Sequence, residues 1–506
     1  MPGKAAVAKL WALWLFLVAG SFANSITAVV AAELKVGFGK VDITNYDAGP
    51  VADPLHARAA IFEKGGMRYV IISLDVVALE RIGPLPSNYL ADLRSGLQKT
   101  CGVLPEHVLV NTSHCHGTSA PDVLKRTIQA VELAVQDMEP VQIGVGIGKE
   151  TRISQNRRLR LMNGREADYR HAYSLPPDEE IDGIGPIDPD VTVVKVCKSD
   201  GRIKGVLYQF ACHPIQGTPA GGNTADITGY SSKVIEDQIG DEAVALFLQG
   251  CGGDINPIQY KEYTQPRDAE SLGNLLALTV LQTNRQIVAQ ADNDFRWELR
   301  KVPVPLADLE PTILEIEKAR DDLLNSLQGT TLNFKEFYKL VGTQAAFPEF
   351  PSADRGTYEF QKAQQREWLS KMDKDNRQQV EVYLQNIYRM ESITRLQTNL
   401  SLLRMHHKEI VEMRSRTYEA EVVGVRIGDF RMVTFPAELT VRIGLGLKAK
   451  FPNTPIAICG YSNGYVYYAP TTEQLANRGY AQEDSDCLLA PHWQQVFEEV
   501  AIDMLK

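Results

Sequence analysis

The chain has 506 residues, of which 44% are hydrophobic and 23% charged, and this composition is typical of a globular protein with a large core. Its formal net charge of −10 at pH 7 argues against nucleic acid or an anionic membrane as the main partner. The seven cysteines, an odd number without a CxxC pair, exclude a small disulfide-stapled domain and leave at least one thiol unpaired.

Residues 1–32 have the pattern of a secretory signal peptide. Lys4 and Lys9 precede the apolar run LWALWLFLVAG, which is too short for a comfortable membrane span, and small residues follow it. Cleavage is expected after Ala23 or near Ala31–Ala32, and the alternatives are a single N-terminal anchor or a tail without a lipid. We therefore predict a secreted or periplasmic protein without an integral membrane segment after cleavage.

Residues 33–300 alternate apolar, strand-like runs with polar or helical stretches. The runs include RYVIISLDVVAL, VTVVKVC, IKGVLYQFAC and AVALFLQG, and residues 124–138 carry apolar positions at helical spacing. The strand pattern returns from residue 418, and the last residues, HWQQVFEEVAIDMLK, have the pattern of a closing helix. The alternation predicts an α/β fold with mixed β-sheets flanked by helices.

Residues 306–415 differ from the rest of the chain because they are long, charged and amphipathic. Their pattern predicts two helices joined by a connector near residues 328–357 that contains glycine, proline and aromatic residues. We interpret this segment as a helical insertion, or arm, within one catalytic domain that spans residues 33–506.

Several predicted strands end in side chains that can carry chemistry. HVLVNTS leads to His114 and His116, GVLYQFAC leads to His213, and FRMVTFPAE leads to Glu438, which we expect in the first turn of a helix. Because alternate residues of an extended chain share a face, His114 and His116 are expected in one pocket with Cys115 turned away. Imidazoles with a carboxylate suit a catalytic zinc site, whereas a single histidine is more often a polar turn residue or a hydrogen-bonded buried imidazole than a ligand.

The order of several short motifs resembles the neutral, non-lysosomal ceramidase family. VGFGKVDIT resembles the family's opening strand, SHCHGTSAP its SHTHSGPGG-like motif, NRR its NRS-type motif and FACHP its FAVHP motif. GDINP stands where the family has GDVSP, FPAE resembles its PGE motif, and NGYVYYAPTTEQLANRGY resembles its N-x-Y-x-x-Y-x-T-T stretch. The resemblance implies the fold of the family's catalytic domain and a zinc-dependent amidohydrolase acting on a small-molecule or lipid acyl substrate.

Position by position, the resemblance implies a Zn²⁺ site. The implied ligands are His114, His213, Glu438 and Tyr468. Tyr468 is the second tyrosine of the pattern that begins at Asn463, and without the family the residues do not distinguish it from Tyr465 or Tyr467. A zinc ion would make hydroxide available for attack on an acyl carbon.

Three further residues match positions around the polar head of the family's substrate. His116 would move a proton or bind the leaving group, and Tyr480 would stabilise the oxyanion together with the metal. Arg157 would bind a polar or anionic substrate group, although NRRLR is rich in arginine and a surface salt bridge is the alternative.

The chain departs from the family in three respects. Asn256 replaces the serine of GDVSP, which excludes acyl transfer to a serine there, although the amide can still donate a hydrogen bond to substrate. The alternative interpretation of GGDINP is a tight turn that Asp254 caps or braces, without a role in binding substrate. Thr118, Ser119 and Ala120 alter the loop beside the expected metal, and we expect no C-terminal immunoglobulin-like domain.

Three hypotheses about function remain open on the sequence. The first is an exported zinc hydrolase that cleaves the amide bond of an N-acyl lipid such as ceramide. The second keeps the metal but changes the substrate to an ester or a small acylated polar molecule. The third, prompted by Asn256, is a non-catalytic relative that binds a lipid or a carbohydrate.

Overall fold

The computed structural model describes residues 33–169, 175–217, 223–240, 242–258, 267–291 and 294–506, so the predicted signal peptide lies outside the described residues. Within these ranges, no helix combines the length and the apolar character that crossing a membrane requires. The strands are β1 (Lys35–Asp42), β2 (His56–Lys64), β3 (Met67–Leu74), β4 (Val108–Thr112), β5 (Glu139–Lys149), β6 (Ser154–Asn156), β7 (Arg158–Leu161), β8 (Glu166–Asp168), β9 (Ile181–Ile184), β10 (Asp190–Lys198), β11 (Ile203–Phe210), β12 (Val244–Gln249), β13 (Ile255–Pro257), β14 (Phe295–Pro305), β15 (Thr417–Ile427), β16 (Phe430–Thr434), β17 (Glu438–Leu439), β18 (Ile456–Cys459) and β19 (Tyr468–Ala469).

The α-helices cover the sheets and form the inserted segment. They are α1 (Tyr89–Cys101), α2 (Val123–Gln136), α3 (Asp226–Ile239), α4 (Ala269–Gln286), α5 (Glu310–Asn325), α6 (Phe334–Ala346), α7 (Arg355–Ala363), α8 (Trp368–Met413), α9 (Val441–Ala449), α10 (Thr472–Leu475), α11 (Gln482–Ser485) and α12 (Trp493–Leu505). The strands and helices predicted before residue 300 and after residue 418 are present, which confirms the mixed α/β architecture.

Two large sheets pack face to face. The first has eight strands in the order β12-β11-β10-β5-β1-β2-β3-β4, and the second has four in the order β14-β15-β16-β18. Both are mixed, because β3/β4, β11/β12 and β16/β18 are parallel pairs while the others are antiparallel. Val36, Phe62 and Leu246 of the large sheet share one core with Val423 and Met432 of the smaller sheet.

Helices cover the two outer faces of this pair of sheets. Helices α1 and α2 share one core with β2, β3 and β4, and α3 and α4 share another with β10, β11 and β12. On the opposite side, Trp493 and Phe497 of α12 pack against the four-stranded sheet, and Trp493 Nε1 donates to Pro470 O at 2.9 Å. The buried sheets thereby hold the ends of their strands in fixed positions.

Helix α2 lies directly against β1 because Gly37 has no side chain. A Cβ atom at Gly37 would meet the backbone oxygen of Ala134 at 1.9 Å, so neither backbone can keep its place. We expect Gly37→Ala to lower the free energy of unfolding by about 1–3 kcal/mol, the usual cost of overpacking. Urea denaturation measures this change, and Gly329→Ala, at a position with open space around it and no positive φ, separates the steric effect from the change in backbone freedom.

The inserted segment between β14 and β15 contains the two predicted helices, α5 and α8, and two further helices, α6 and α7, begin within the stretch predicted as their connector. Asn333 and Glu336 form a capping box that begins α6, and the side chain of Asp354 caps α7. These polar signals stand in the stretch that we interpreted as the connector. Helix α8 has 46 residues and packs against α5 through an apolar cluster that includes Ile316 and Leu400.

The seven cysteines are all buried and none is in a disulfide; each of them lies in the described part of the chain. The sequence required only one unpaired thiol, and the structure has seven. The fold is therefore held by its core and its hydrogen bonds rather than by covalent cross-links.

Candidate metal centre

Three metal-ligand side chains from distant parts of the chain converge in one buried cluster. One ligand atom each from His114, His213 and Glu438 lies within 4.8 Å of the others, and no other described set of three histidine, cysteine or acidic residues does so. His213 Nε2 is 3.0 Å from Glu438 Oε2, and His114 Nε2 is 3.5 Å from Glu438 Oε1. Each residue follows the carboxyl end of a strand, where sites gather in α/β folds.

Backbone carbonyls orient both imidazoles. His114 Nδ1 donates to Val77 O at 2.7 Å, and His213 Nδ1 donates to Gly252 O at 2.6 Å. With the proton held on Nδ1, the lone pair of each Nε2 faces the cluster, as in metal-binding histidines. Neither carbonyl is indicated by the sequence pattern, and Gly252 gives the GGDINP region a role in holding His213.

His114 and His116 reach the same cavity, but not through an extended chain. Strand β4 ends at Thr112, and His114 has a φ of 67°, while its N–H donates to Val76 O at 3.1 Å. The rings of His114 and His116 are 5.4 Å apart, and Cys115 packs in the core as expected. The shared pocket is therefore present, although the strand alternation that predicted it is wrong.

Glu438 lies in a short strand, so its prediction in the first turn of a helix is wrong. Strand β17 pairs with β19 in parallel, and Glu438 stands directly opposite Tyr468, while helix α9 begins only at Val441. Backbone hydrogen bonds hold this pairing in place: Val466 N–H donates to Pro436 O, and Glu438 N–H donates to Tyr467 O. This register brings the predicted carboxylate ligand and the predicted tyrosine ligand next to each other.

A strained loop supplies two phenols to the carboxylate. Tyr465 OH donates to Glu438 Oε1 at 2.5 Å, and Tyr461 OH donates to Oε2 at 3.2 Å. Tyr461, Asn463 and Tyr467 have φ values of 53°, 54° and 61°, a region that residues other than glycine rarely adopt. Such strain is common at functional sites. Sequence analysis missed Tyr461, although it stands in the same tyrosine-rich stretch.

The protonation states of His114 and Glu438 suit binding of a cation. Burial lowers the pKa of His114 to about 4, so its imidazole is neutral near pH 7. Burial alone would raise the pKa of Glu438, but the nearby imidazoles and the hydrogen bonds from His213 and Tyr465 outweigh it and lower that pKa. Neutral imidazoles and an ionised carboxylate are the forms in which these groups bind zinc. The alternative is a buried ion pair, which requires a proton on His213 Nε2.

Arg157 is buried behind the cluster, so the alternative of a surface salt bridge is wrong. Its Nε donates to Glu483 Oε1 at 2.5 Å and its Nη1 to Asn256 Oδ1 at 2.9 Å. Its Nη2 donates to Gly253 O at 2.6 Å and to Tyr468 OH at 3.1 Å. Asn256 thus holds Arg157 in place through its amide oxygen. The Asn256 side chain is fully buried, and its amide nitrogen has no hydrogen-bond partner among the described residues. Glu483 was missed by sequence analysis.

A cavity of about 340 Å³ opens onto the cluster. His116, Arg157 and Tyr468 line it with the three clustered residues, and so do Tyr465, Tyr467 and Asp486. Its apolar lining is Ile82, Ile215, Leu402 and Met405. Tyr480 is not among the described residues that line the cavity, and Arg165 lies over its ring at 4.1 Å.

No family model matches the sequence, and no curated protein matches it. Among solved structures, the chain is similar to neutral ceramidase from Pseudomonas aeruginosa, with 17% identity, a TM-score of 0.58, and coverage of 94% of this chain and 74% of that one. A ceramidase complexed with C2 matches with 18% identity, the same TM-score, and coverage of 94% and 75%. The resemblance seen in the motifs is thereby confirmed at the level of architecture, and this chain has the fold of the neutral ceramidases.

Proposed function

We propose that this chain is an exported zinc-dependent hydrolase that cleaves the amide bond of an N-acyl lipid, such as ceramide or a related N-acyl compound. The observation that carries the proposal is the convergence of His114, His213 and Glu438 at the base of a partly apolar cavity. The ceramidase fold supports the same reaction class.

The donor set fits zinc. Two imidazoles with carbonyl-bound Nδ1 atoms and one carboxylate are typical ligands of a catalytic site, which keeps an open position for substrate or water. Tyr468 is the proposed fourth ligand, supported by its position opposite Glu438. When bound, zinc supplies the Lewis acidity that activates water near neutral pH.

The remaining polar side chains divide the other tasks of amide hydrolysis. Arg157 contributes a buried positive charge beside Tyr468, which would stabilise an oxyanion as it develops. His116 is exposed at the cavity, where a proton can be exchanged with the departing amine. Asn256 acts by bracing Arg157. The oxyanion role expected for Tyr480 is not part of this proposal, because that side chain does not line the cavity among the described residues.

The second hypothesis, an ester or another acylated substrate, follows from the departures from the family pattern at Asn256 and at residues 118–120, which weaken the case for ceramide itself. A cavity of about 340 Å³ also holds only part of a two-chain lipid. The metal chemistry would be unchanged, and only the bond cleaved would differ.

Metal analysis combined with acyl substrates tests the proposal. We expect about one zinc per purified chain, because three to four protein side chains would hold the metal while one position stays open to water or substrate. A chelator should abolish hydrolysis of an N-acyl lipid, and added zinc should restore it. An ester with the same acyl chain and head group distinguishes the two hypotheses. Turnover by metal-free protein would contradict both, and bound zinc without turnover of any acyl substrate would favour the non-catalytic relative.

A further inference from the structure

The inserted helix α8 forms part of the wall of the cavity. Leu402, Met405, His406 and Glu409 recur at spacings of three and four residues and so share one face of the helix. Leu402 and Met405 line the cavity, and Glu409 Oε1 accepts a hydrogen bond from Arg81 Nε at 2.7 Å. The segment interpreted as an arm therefore reaches the site.

His406 of this helix orients an acidic side chain in the cavity. Its Nε2 donates to Asp486 Oδ1 at 2.7 Å, and its ring packs edge-on against Tyr467 at 4.4 Å. The side chain of His406 is fully buried, while that of Asp486 is 14% exposed and lines the cavity. Among the described residues, Asp486 Oδ2 accepts no hydrogen bond.

The other charges of the cavity are already matched. Both oxygens of Glu438 accept hydrogen bonds from phenols, and Arg157 is paired with the buried carboxylate of Glu483. Of the two described carboxylates that line the cavity, Asp486 is therefore the one whose second oxygen, Oδ2, can accept a hydrogen bond from a ligand. An ionised carboxylate accepts hydrogen bonds and cannot donate them, so it favours hydroxyl and ammonium groups and repels anions.

We propose that Asp486 is a head-group subsite that binds the hydroxyl or ammonium group of the amine half of the substrate, and that His406 is its positioning residue. This inference rests on the proposed amide hydrolysis, which releases a fatty acid carboxylate and a protonated amine. Asp486 binds the amine product and disfavours acyl compounds whose head group carries a carboxylate or a phosphate.

Binding of the two products tests the subsite without requiring turnover. A long-chain amino alcohol and a fatty acid of equal length, each in detergent micelles, serve as probes for calorimetry with the full chain. We expect Asp486→Asn to weaken binding of the amino alcohol about tenfold or more, since one charge-assisted hydrogen bond is lost, and to leave binding of the fatty acid equal or tighter, since only a repulsion is removed. Glu412→Gln, which removes an exposed carboxylate from α8, is the control.

The role of His406 is tested with two variants. His406→Leu removes the N–H that donates to Asp486, so it should weaken binding of the amino alcohol about as much as Asp486→Asn does. His406→Gln retains an N–H donor and should recover part of that affinity. Where the protein is active, Asp486→Asn should also raise turnover of an N-acyl glycine relative to an N-acyl amino alcohol.

The outcomes separate this inference from the proposed function. The subsite would be overturned by any of three results. These are equal affinities of wild type and Asp486→Asn for the amino alcohol, no binding of the amino alcohol by wild type, or an equal loss of affinity for the amino alcohol and the fatty acid. Absence of hydrolysis together with the expected contrast in affinity would remove the proposed function and leave the subsite supported.

Discussion

Replacing His114 by alanine is expected to remove both the bound metal and the hydrolytic activity while the protein stays folded. Loss of a supporting partner of a metal ligand usually costs 10–100-fold, so loss of a ligand itself should lower kcat/KM by about 10³-fold or more. Glu438 would keep the hydrogen bonds that it accepts from Tyr461 and Tyr465, so the buried carboxylate retains two donors. Metal content and turnover of an N-acyl lipid are measured on the same preparation.

His492→Ala provides the matched control for this experiment. His492 is exposed before the last helix and makes no capping hydrogen bond with its side chain, so its loss should leave zinc content and turnover unchanged. Circular dichroism and the unfolding midpoint establish that His114→Ala is folded. A folded His114→Ala protein with undiminished zinc and turnover would show that the metal is held elsewhere and that this cluster is not the catalytic site.

Replacing Arg157 by alanine is expected to give the largest loss of stability among single substitutions near the cavity. The substitution takes from the fully buried carboxylate of Glu483 its ion pair with Arg157 at 2.5 Å, which is shorter than its pair with Arg158 at 3.5 Å. Removing one partner of a buried ion pair typically costs about 3–5 kcal/mol. It also leaves Gly253 O and Asn256 Oδ1 without the donors that they now accept from.

Urea denaturation of Arg157→Ala and Arg296→Ala measures this contribution. The side chain of Arg296 is 72% exposed and pairs with Asp294 at 3.4 Å, and a surface pair of this kind contributes about 0–1 kcal/mol. Arg157→Lys keeps the charge but not the planar set of donors, so an intermediate loss is expected. A change below about 1 kcal/mol for Arg157→Ala would contradict the interpretation of a buried, structural guanidinium.

The local pattern of the sequence was sufficient for most of the fold. Alternating apolar runs predicted β10, β11, β12 and β15, because buried strands and their breaks depend on neighbouring residues. The order of strands within the sheets depends on contacts between distant residues, and no local pattern contains it. The helices α6 and α7 were missed although the capping signal of Asn333 and Glu336 was visible.

For the site, the sequence supplied residue types and the family resemblance supplied their combination. His114, His213 and Glu438 do meet, but the carbonyls of Val77 and Gly252 that orient the imidazoles carry no signature in a sequence. Backbone groups are common to all residues, so their roles emerge only in three dimensions. The positive φ of His114 and the short strand at Glu438 were unpredictable for the same reason, since both depend on pairing with remote segments.

The seven buried thiols also allow local opening of the structure to be measured by cysteine labelling. Burial raises the pKa of Cys115 and of Cys251 well above that of a free thiol, and only the thiolate reacts rapidly with alkylating reagents. Alkylation of these thiols in the native protein therefore requires the helices and sheets that cover them to open transiently. Labelling rates at single cysteines, followed by mass spectrometry, would show which layer of the molecule opens first.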